Sequence, residues 1–431
     1  MRRGASLSAL LFAGAAFLTL AVSPALGDSW DEVLAKRLAD SVQVRQARLL
    51  LRQAELRGDQ ATKPYLPSLV FGTSGQAGIG VQNGIFTGGA LRTDLTMTGI
   101  LGADLSLQAP LSIAKDGKAE AGNPSLNLSR KIFVESAADS LSAQGALLKA
   151  QVSLQDAEDA VRIQLVTDTL NAVYYARLLD ANRQNLQVLE RVREATPEVS
   201  RREVERRILQ AQRAILSASS AISALDAGIQ NQADQLYRAI QARSDAWVSS
   251  VPGMDAAIPV PASIKAQELE LAALEKKKAF SILPYLPNPS VSGQIVYDLK
   301  KETFNWNLGL IFSITLLDKG ERALSALQRR ENAEIEALRL EASKKSLADT
   351  IRQARDRLAL LDLDRRLKAL DVEDKLEAEA KLKSLFEGGF TTEENLIIGN
   401  TDVTVVRLEA IKIDHDILIQ KLRLAQYFSA E

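Results

Sequence analysis

Cysteine is absent from the 431-residue chain, and histidine occurs once. The absence of cysteine excludes disulfide bonds, thiolate metal sites and a lipid anchor attached to a cysteine after an export signal. The single histidine, His415, lies between two aspartates, and no second cluster of ligands has a spacing that suits a metal ion or a proton relay. We therefore expect no metal site, and we expect His415 to be exposed on a solvated helix face.

Other absences narrow the function classes further. Aromatic residues make up 5% of the chain, which is low for a large globular core. The net charge is -1 and both signs are interleaved, so there is no basic surface for nucleic acid. Gly117-Lys118 is followed by Ala119, which excludes a phosphate-binding loop. Because no catalytic constellation is present either, the sequence predicts a protein that is not an enzyme and binds no cofactor.

Long apolar runs are missing after the first 27 residues. Two arginines, an apolar stretch over 7–22 and small residues before position 28 are typical of a cleaved signal peptide, which we assign to residues 1–27. The alternative is an uncleaved anchor helix. The stretch has about 16 residues, however, whereas a helix needs about 20 to cross a bilayer. No later run reaches 18 apolar residues, so we expect no transmembrane helix.

The chain does contain a repeat. The tetrapeptide Pro-Tyr-Leu-Pro at 64–67 recurs at 284–287, and each copy follows a helix-like tract and precedes alternating residues and a long helix-like tract. Proline ends a helix because it lacks the backbone donor and clashes with the preceding turn. The sequence therefore predicts a first repeat over 28–250 and a second over 251–431. The predicted helix-to-strand elbows are Pro64, Pro67, Pro284 and Pro287.

Apolar periodicity places the same elements in both repeats. In the first repeat we predict helices over 29–61, 135–195 and 198–248 and a strand region over 68–134. In the second we predict helices over 262–282, 319–385 and 393–428 and strands over 290–297 and 305–317. Apolar spacings in the long helices average 3.5 residues, which is the coiled-coil pattern.

The first strand region, 68–134, is rich in glycine and contains short runs in which polar and apolar residues alternate. Alternation predicts strands with one wet face, although a disordered glycine-rich loop is the alternative. Compared with the second repeat, this region has 36 extra residues. They form either an added hairpin or a surface loop.

Two charge clusters begin helices at equivalent places in the repeats. Arg201, Arg202, Arg206 and Arg207 follow Pro197, whereas Glu393 and Glu394 follow the turn at Gly389 and precede Asn395. For each cluster there are two alternatives. Its side chains line an entrance or dock a partner, or they are ordinary charges in contact with solvent. Acids suit a helix N-terminus, whereas four arginines there oppose the helix dipole.

The order of elements and several short segments resemble the outer membrane efflux protein (TolC) family over nearly the whole mature chain. The segments are the elbows at 66–69 and 286–291, the strand ends at 126–133 and 308–320, and the glycine-threonine turn at 385–392. Each segment is weak alone, and their order and duplication carry the match.

This resemblance implies a mainly α fold with a small β part. Long coiled-coil helices would form an α-helical barrel in the periplasm, and a homotrimer would share one outer-membrane β-barrel to which each protomer gives about four strands. It also implies a periplasmic adaptor protein, an inner-membrane pump and outer-membrane lipid as partners. In the family, aspartates ring the periplasmic aperture. Here the matching positions hold Asn395 and Ile398, so Glu393 and Glu394 are candidate substitutes.

From the sequence and this resemblance, our hypothesis is that the protein is a passive outer-membrane exit duct of a tripartite efflux or type I secretion system. The alternative is a periplasmic coiled-coil scaffold without a pore.

Overall fold

The computed structural model describes residues 24–62, 68–73, 79–82, 85–100, 103–131, 136–195, 201–249, 260–279, 289–311 and 319–428. The four elbow prolines and Pro197 lie outside the described residues, as does most of the predicted signal peptide. The described chain forms two compact units. Unit 1 comprises the described residues within 24–45, 156–249 and 351–428, and unit 2 comprises those within 46–155 and 260–350.

Eight helices and eight strands are described. The helices are α1 (Pro24–Asp40), α2 (Val42–Thr62), α3 (Ser136–Ala195), α4 (Arg201–Ser223), α5 (Ala227–Ser249), α6 (Ala262–Ala279), α7 (Glu321–Glu387) and α8 (Glu393–Ala425). The strands are β1 (Ser68–Thr73), β2 (Ile79–Gln82), β3 (Ile85–Ile100), β4 (Ala103–Ile113), β5 (Ala119–Ala121), β6 (Ser125–Lys131), β7 (Ser290–Asp298) and β8 (Thr303–Ile311). None of these helices is long and apolar enough to cross a membrane.

Two predicted helices are each divided in the structure. The helix expected over 29–61 is interrupted at Ser41, whose hydroxyl accepts a hydrogen bond from the Val44 backbone N–H (3.4 Å). The helix expected over 198–248 is interrupted after α4, where the Asp226 carboxylate accepts a hydrogen bond from the Gly228 N–H (2.6 Å). Ser and Asp are good N-cap residues because their oxygens satisfy the free N–H groups of a first turn.

Unit 1 is a helical body whose apolar core lies among α1, α3, α5 and α8. Its largest fully buried residues include Leu165, Leu170, Leu236 and Ile240. Trp30 packs near Trp247, with ring centroids 6.0 Å apart. Arg37 of α1 binds Asp168 of α3 (3.1 Å), which fixes α1 on the bundle.

Unit 2 packs its helices through small residues. A Cβ added to Gly145 of α3 would lie 3.1 Å from the backbone oxygen of Ala266 in α6, so the two helices approach closely there. Ala266 and Ala273 of α6 are buried, as are Ala326 and Ala333 of α7. This use of alanine and glycine agrees with the low aromatic content of the chain, because closely packed helices need small side chains.

Unit 2 also contains one antiparallel sheet. Its strand order is β1-β3-β4-β6-β7-β8, while β2 pairs with β3 and β5 pairs with β4. This path has six strands in one chain, whereas the resemblance implies about four strands from each protomer in a shared barrel. The 36 extra residues account for the difference, because β3 and β4 form an added hairpin within the sheet rather than a surface loop. The alternation of residues in 68–134 therefore predicts the structure better than the glycine content does.

Candidate functional site

The sheet sorts its side chains into rows that run across all six strands of the path. One row contains apolar residues only: Leu69, Leu95, Leu107, Leu126, Ile295 and Trp306. The adjacent row contains polar residues only: Ser68, Thr96, Ser106, Asn127, Gln294 and Asn307. Successive residues of a strand point to opposite faces, so these two rows lie on opposite sides of the sheet.

Further rows continue the same division. The apolar face also carries the row Met97, Leu105, Leu128, Gly293 and Leu308. The polar face also carries the row Val70, Asp94, Gln108, Ser125, Val296 and Asn305, in which two valines are the exceptions. The division is therefore a property of the whole sheet and not of one hairpin.

The apolar face is exposed in the isolated chain. Trp306 is 77% exposed and Leu308 is 71% exposed, and Leu69, Phe71 and Phe304 are exposed as well. An apolar patch of this kind on a protein surface marks an interaction with lipid or with another protein.

The polar face is hydrogen-bonded within itself. The hydroxyls of Ser68 and Thr96 are hydrogen-bonded across β1 and β3. The Asn307 amide donates to the Gln294 side-chain oxygen (3.3 Å) across β7 and β8. The Arg92 guanidinium donates to the Asp94 carboxylate (2.6 Å), and both residues lie on β3. This face is therefore built for contact with water.

The sheet has two edges, β1 and β8, neither of which pairs with a further strand among the described residues. An unpaired edge presents a row of backbone N–H and C=O groups that can pair with another chain. Both edges also carry exposed apolar side chains, Phe71 on β1 and Phe304 on β8. The sheet is therefore open at both ends.

A second candidate region, in unit 1, is the turn between α7 and α8. The Phe390 N–H donates to the Leu385 carbonyl (2.8 Å) and the Gly389 N–H to the Phe386 carbonyl (2.9 Å). With Gly389 at a φ of +77°, these two bonds form a Schellman motif, in which the left-handed backbone at that position favours glycine. Phe390 is 83% exposed at the turn, so an aromatic ring is presented to whatever lies beyond it.

The acidic residues after this turn are partly engaged in the helix start. The pKa of the Glu394 carboxyl is lowered by a hydrogen bond from its own backbone N–H and by one from the Thr392 hydroxyl, and the charge of Arg191 adds to the effect. Thr392 has extended backbone (φ -92°, ψ 159°) but makes no side-chain capping bond. Glu393 is exposed, and the Asn395 amide donates to the Thr391 hydroxyl (3.2 Å).

The arginine cluster at the start of α4 contains its own counter-charge. Arg206 contacts the Glu203 carboxylate at 2.9 Å and Arg207 contacts it at 3.6 Å. The hydrogen bond from Arg206 is the largest cause of the lowered pKa of Glu203. Glu203 was not predicted as part of this cluster, although an acid three residues before an arginine on a helix is a recognisable pairing signal. Arg201 and Arg202 are exposed and precede this group.

The two helix starts are brought together by an apolar cluster in unit 1. Val188 and Leu189 of α3, Ile208 and Ala211 of α4 and Ile398 of α8 are buried against one another. Ile398, at a position where the family carries an aspartate, is therefore a core residue, and its side chain is not available to line an aperture. The candidates exposed at these helix starts are Glu393, Asn395, Arg201, Arg202, Arg206 and Arg207, and the last two pair with Glu203.

Ion pairs connect α7 to α8 away from the turn. Lys375 lies 3.6 Å from Asp402 and Lys368 lies 3.1 Å from Glu409. Arg365 lies 3.0 Å from Asp414. The residue numbers rise on one helix as they fall on the other, so the helices are antiparallel. Exposed pairs of this kind contribute little stability singly, about 0.2–1 kcal/mol, but they fix which side chains face each other.

His415 differs from its prediction. It is 7% exposed and packs edge-on to Tyr237 of α5, with ring centroids 5.7 Å apart. Burial lowers the pKa of His415 to about 4, with the charges of Lys412 and Arg177 acting in the same direction and Asp416 opposing them. The expectation of an exposed histidine is therefore wrong. The flanking aspartates suggested a wet face, but residue 415 lies on the side of α8 that packs on α5. No group of metal-ligating residues occurs in the described part of the chain.

No family model matches the sequence, and no curated protein matches it. Solved structures do match. The outer membrane protein VceC from Vibrio cholerae is 12% identical over 93% of this chain and 95% of that chain, with a TM-score of 0.60. The Campylobacter jejuni CmeC outer membrane channel is 12% identical over 94% and 86% of the two chains, with a TM-score of 0.61. The open state of the Neisseria gonorrhoeae MtrE outer membrane channel is 13% identical over 93% and 88%, with a TM-score of 0.57.

At such low sequence identities, the similarity to these structures extends to the fold alone. The chain has the fold of outer-membrane efflux channels, which confirms the predicted fold class, mainly α with a small sheet, and the resemblance at the level of the fold.

Proposed function

We propose that this chain, which has the fold of outer-membrane efflux channels, is an outer-membrane exit duct of a tripartite efflux or type I secretion system. Three copies form a passive, water-filled path through the outer membrane and periplasm. An inner-membrane pump supplies the driving force and delivers small molecules or secreted polypeptide through a periplasmic adaptor. In this proposal residues 1–27 direct export, and the helices lie in the periplasm.

The observation that carries the proposal is the open sheet with one apolar and one polar face. Inside a bilayer every backbone polar group needs a partner, because lipid offers none. The free edges β1 and β8 meet this requirement if β8 of one copy pairs with β1 of the next until the sheet closes. The exposed apolar rows, which include Trp306 and Leu308, then face lipid, and the polar rows face the water inside.

Exposed apolar residues on α7 also favour assembly with other copies. Leu360, Leu363, Leu367 and Leu370 are more than half exposed and follow a spacing of 3, 4 and 3 residues. This spacing is that of a coiled-coil seam, in which each leucine inserts between residues of a facing helix. Ile351 and Leu361, by contrast, are buried within the chain. The seam is therefore available to pack against a helix of another copy.

The turn between α7 and α8 and the start of α4 are the proposed contact with the adaptor and the proposed periplasmic aperture. Phe390 offers an exposed apolar contact, and Glu393 and Asn395 lie directly after it. Arg201 and Arg202 supply positive charge at the start of α4. We assign Glu393 rather than Glu394 as the substitute for the family's aperture acid, because Glu394 already accepts two hydrogen bonds at the helix start.

The competing hypothesis, a periplasmic scaffold without a pore, leaves the apolar face of the sheet without a partner. A protein that remains dissolved in the periplasm would expose Leu69, Phe304 and Trp306 to water. Burying such side chains is worth about 1.5–3 kcal/mol each, so a surface of this kind is not retained without an environment that covers it.

Single-channel recording tests the proposed function. The purified full-length protein, reconstituted into a planar bilayer, should form a stable oligomer and give discrete conductance steps. The same preparation dissociated by heating in detergent serves as the control and should give none. Recovery of the protein in the soluble periplasmic fraction, together with a silent bilayer, would instead support the scaffold.

A further inference from the structure

The β3–β4 hairpin is the part of the sheet that exceeds the expectation of about four strands. It lies in the middle of the strand path, with β1 on one side and β6 on the other. The backbone pairing of β3 with β4 is continuous from Gly89–Ile113 to Met97–Leu105. A hairpin that projected from the surface would leave β1 paired directly with β6, and that pairing does not occur in the described sheet.

The side chains of the hairpin follow the same separation into an apolar and a polar face as the rest of the sheet. Leu95 and Leu107 continue the apolar row between Leu69 and Leu126. Thr96 and Ser106 continue the polar row between Ser68 and Asn127. A shift of one residue would reverse the faces of an entire strand, so the match on both strands of the hairpin is specific.

We infer that the β3–β4 hairpin forms part of the wall of the channel, so that three copies close eighteen strands rather than twelve. The inference rests on the proposed trimeric channel. Strands about 4.8 Å apart and tilted by about 40° each occupy about 6.3 Å of circumference. Eighteen strands then give a wall about 36 Å in diameter, against about 24 Å for twelve.

The width of the wall limits the size of the cargo that can pass. By this estimate the wall is about half as wide again as one of twelve strands, and barrels of about 16–18 strands leave an aqueous channel. The hairpin also places the Arg92–Asp94 ion pair on the polar face, where three copies contribute six charges to the lumen. The hairpin is thus the element that determines both the width and the charge of this part of the path.

Single cysteines test whether the hairpin is in the wall, because the natural chain has none. Leu95→Cys and Leu107→Cys probe the apolar face, and Thr96→Cys and Ser106→Cys probe the polar face. Leu126→Cys and Asn127→Cys on β6 are matched controls in the same two rows. A water-soluble maleimide added to proteoliposomes should label the three polar-row cysteines, and the three apolar-row cysteines should lose this labelling until the lipid is dissolved.

The outcomes separate the two proposals. Labelling of Leu95→Cys and Leu107→Cys at the rate of Thr96→Cys, with Leu126→Cys still protected, would place the hairpin in water and overturn this inference alone. Equal labelling of Leu126→Cys and Asn127→Cys would also overturn the proposed channel.

A deletion tests the width directly. Removal of residues 85–118 joins β2 to β5 and leaves Asn83-Gly84, a sequence suited to a two-residue hairpin turn. Electron microscopy of the natural oligomer should show a wall about 36 Å wide, and that of the shortened chain about 24 Å. A natural wall near the smaller value, or equal widths for the two proteins, would overturn the inference. The cysteine variants carry the test if the shortened chain does not assemble.

Discussion

At the residue scale, His415 is the clearest case of a role that depends on packing. The ring lies against Tyr237 of α5, and Arg177 of α3 lies 5.4 Å from the centroid of the same tyrosine ring. Lys412 and Asp416, which lie one turn apart on α8 on either side of His415, form an ion pair of 2.7 Å. Neither ring nitrogen of His415 has a hydrogen-bond partner among the residues that the structure describes. A protonated ring of His415 would carry a buried positive charge that no hydrogen bond compensates, so the neutral form of the ring is favoured.

This environment predicts a loss of stability in acid. The pKa of His415 is about 4 in the folded chain, below its ordinary 6.5, so only the unfolded chain binds a proton as the pH falls through this interval. The stability from the neutral ring is complete above about pH 6.5 and is lost on the way to pH 4, by up to about 3 kcal/mol. Thermal unfolding of the natural protein should therefore depend more steeply on pH in this window than that of His415→Leu.

The comparison isolates one group, because the chain has no other histidine. Carboxyl groups such as Asp159, whose pKa burial raises, titrate equally in both proteins and cancel in the difference. Parallel pH profiles for the natural protein and His415→Leu would contradict the prediction.

At the scale of elements, two glycines within long helices have different roles. A Cβ on Gly399 of α8 would lie 2.7 Å from the terminal methyl of Leu382, which is a flexible neighbour that can rotate away. A Cβ on Gly145 of α3 would lie 3.1 Å from the Ala266 backbone oxygen, which can move only if α6 moves. The sequence shows both as glycines in a helix and does not distinguish them.

Alanine substitution should separate the two positions. Both changes gain helix propensity of about 1 kcal/mol, because alanine is the better helix former. We expect Gly399→Ala to melt at the natural temperature or above it, and Gly145→Ala to melt lower because α3 and α6 must separate. The two variants are mutual controls, and the measurement is the melting temperature of the assembled protein. Equal melting temperatures would show that the α3–α6 contact carries no constraint.

At the scale of the whole molecule, insertion into lipid depends on an uninterrupted apolar face. Charges on the lipid side of a membrane strand cost about 2–4 kcal/mol each near the middle of the bilayer. The double variant Trp306→Lys, Leu308→Lys should therefore be lost from the outer-membrane fraction. The matched control Asn305→Lys, Asn307→Lys changes the opposite face of the same strand and should be retained there. Retention of both variants, measured by fractionation and immunoblotting, would exclude lipid contact along β8.

The alternating faces also explain how much of the fold could be predicted. Helices α3, α6, α7 and α8 begin and end within a few residues of the expected positions, because apolar periodicity and proline are local signals. The breaks at Ser41 and Asp226 were missed. Ser and Asp favour an N-cap, but they also occur on solvated helix faces, so the residue type alone does not locate a break. Glu393 and Glu394 were singled out from their position after Gly389, and their role stays a prediction. The hydrogen bonds that Glu394 accepts at the helix start could not be predicted from the sequence.

The sequence by itself determined the order of helices and strands and the alternation that makes a two-faced sheet possible, because each depends on residues a few positions apart. Only the tertiary structure decided that the extra residues join the sheet, that Ile398 and His415 are buried and that Gly145 lies close against the backbone of α6. Those outcomes depend on which segments, far apart in the chain, become neighbours in the folded structure. The local residue pattern does not say which segments these are.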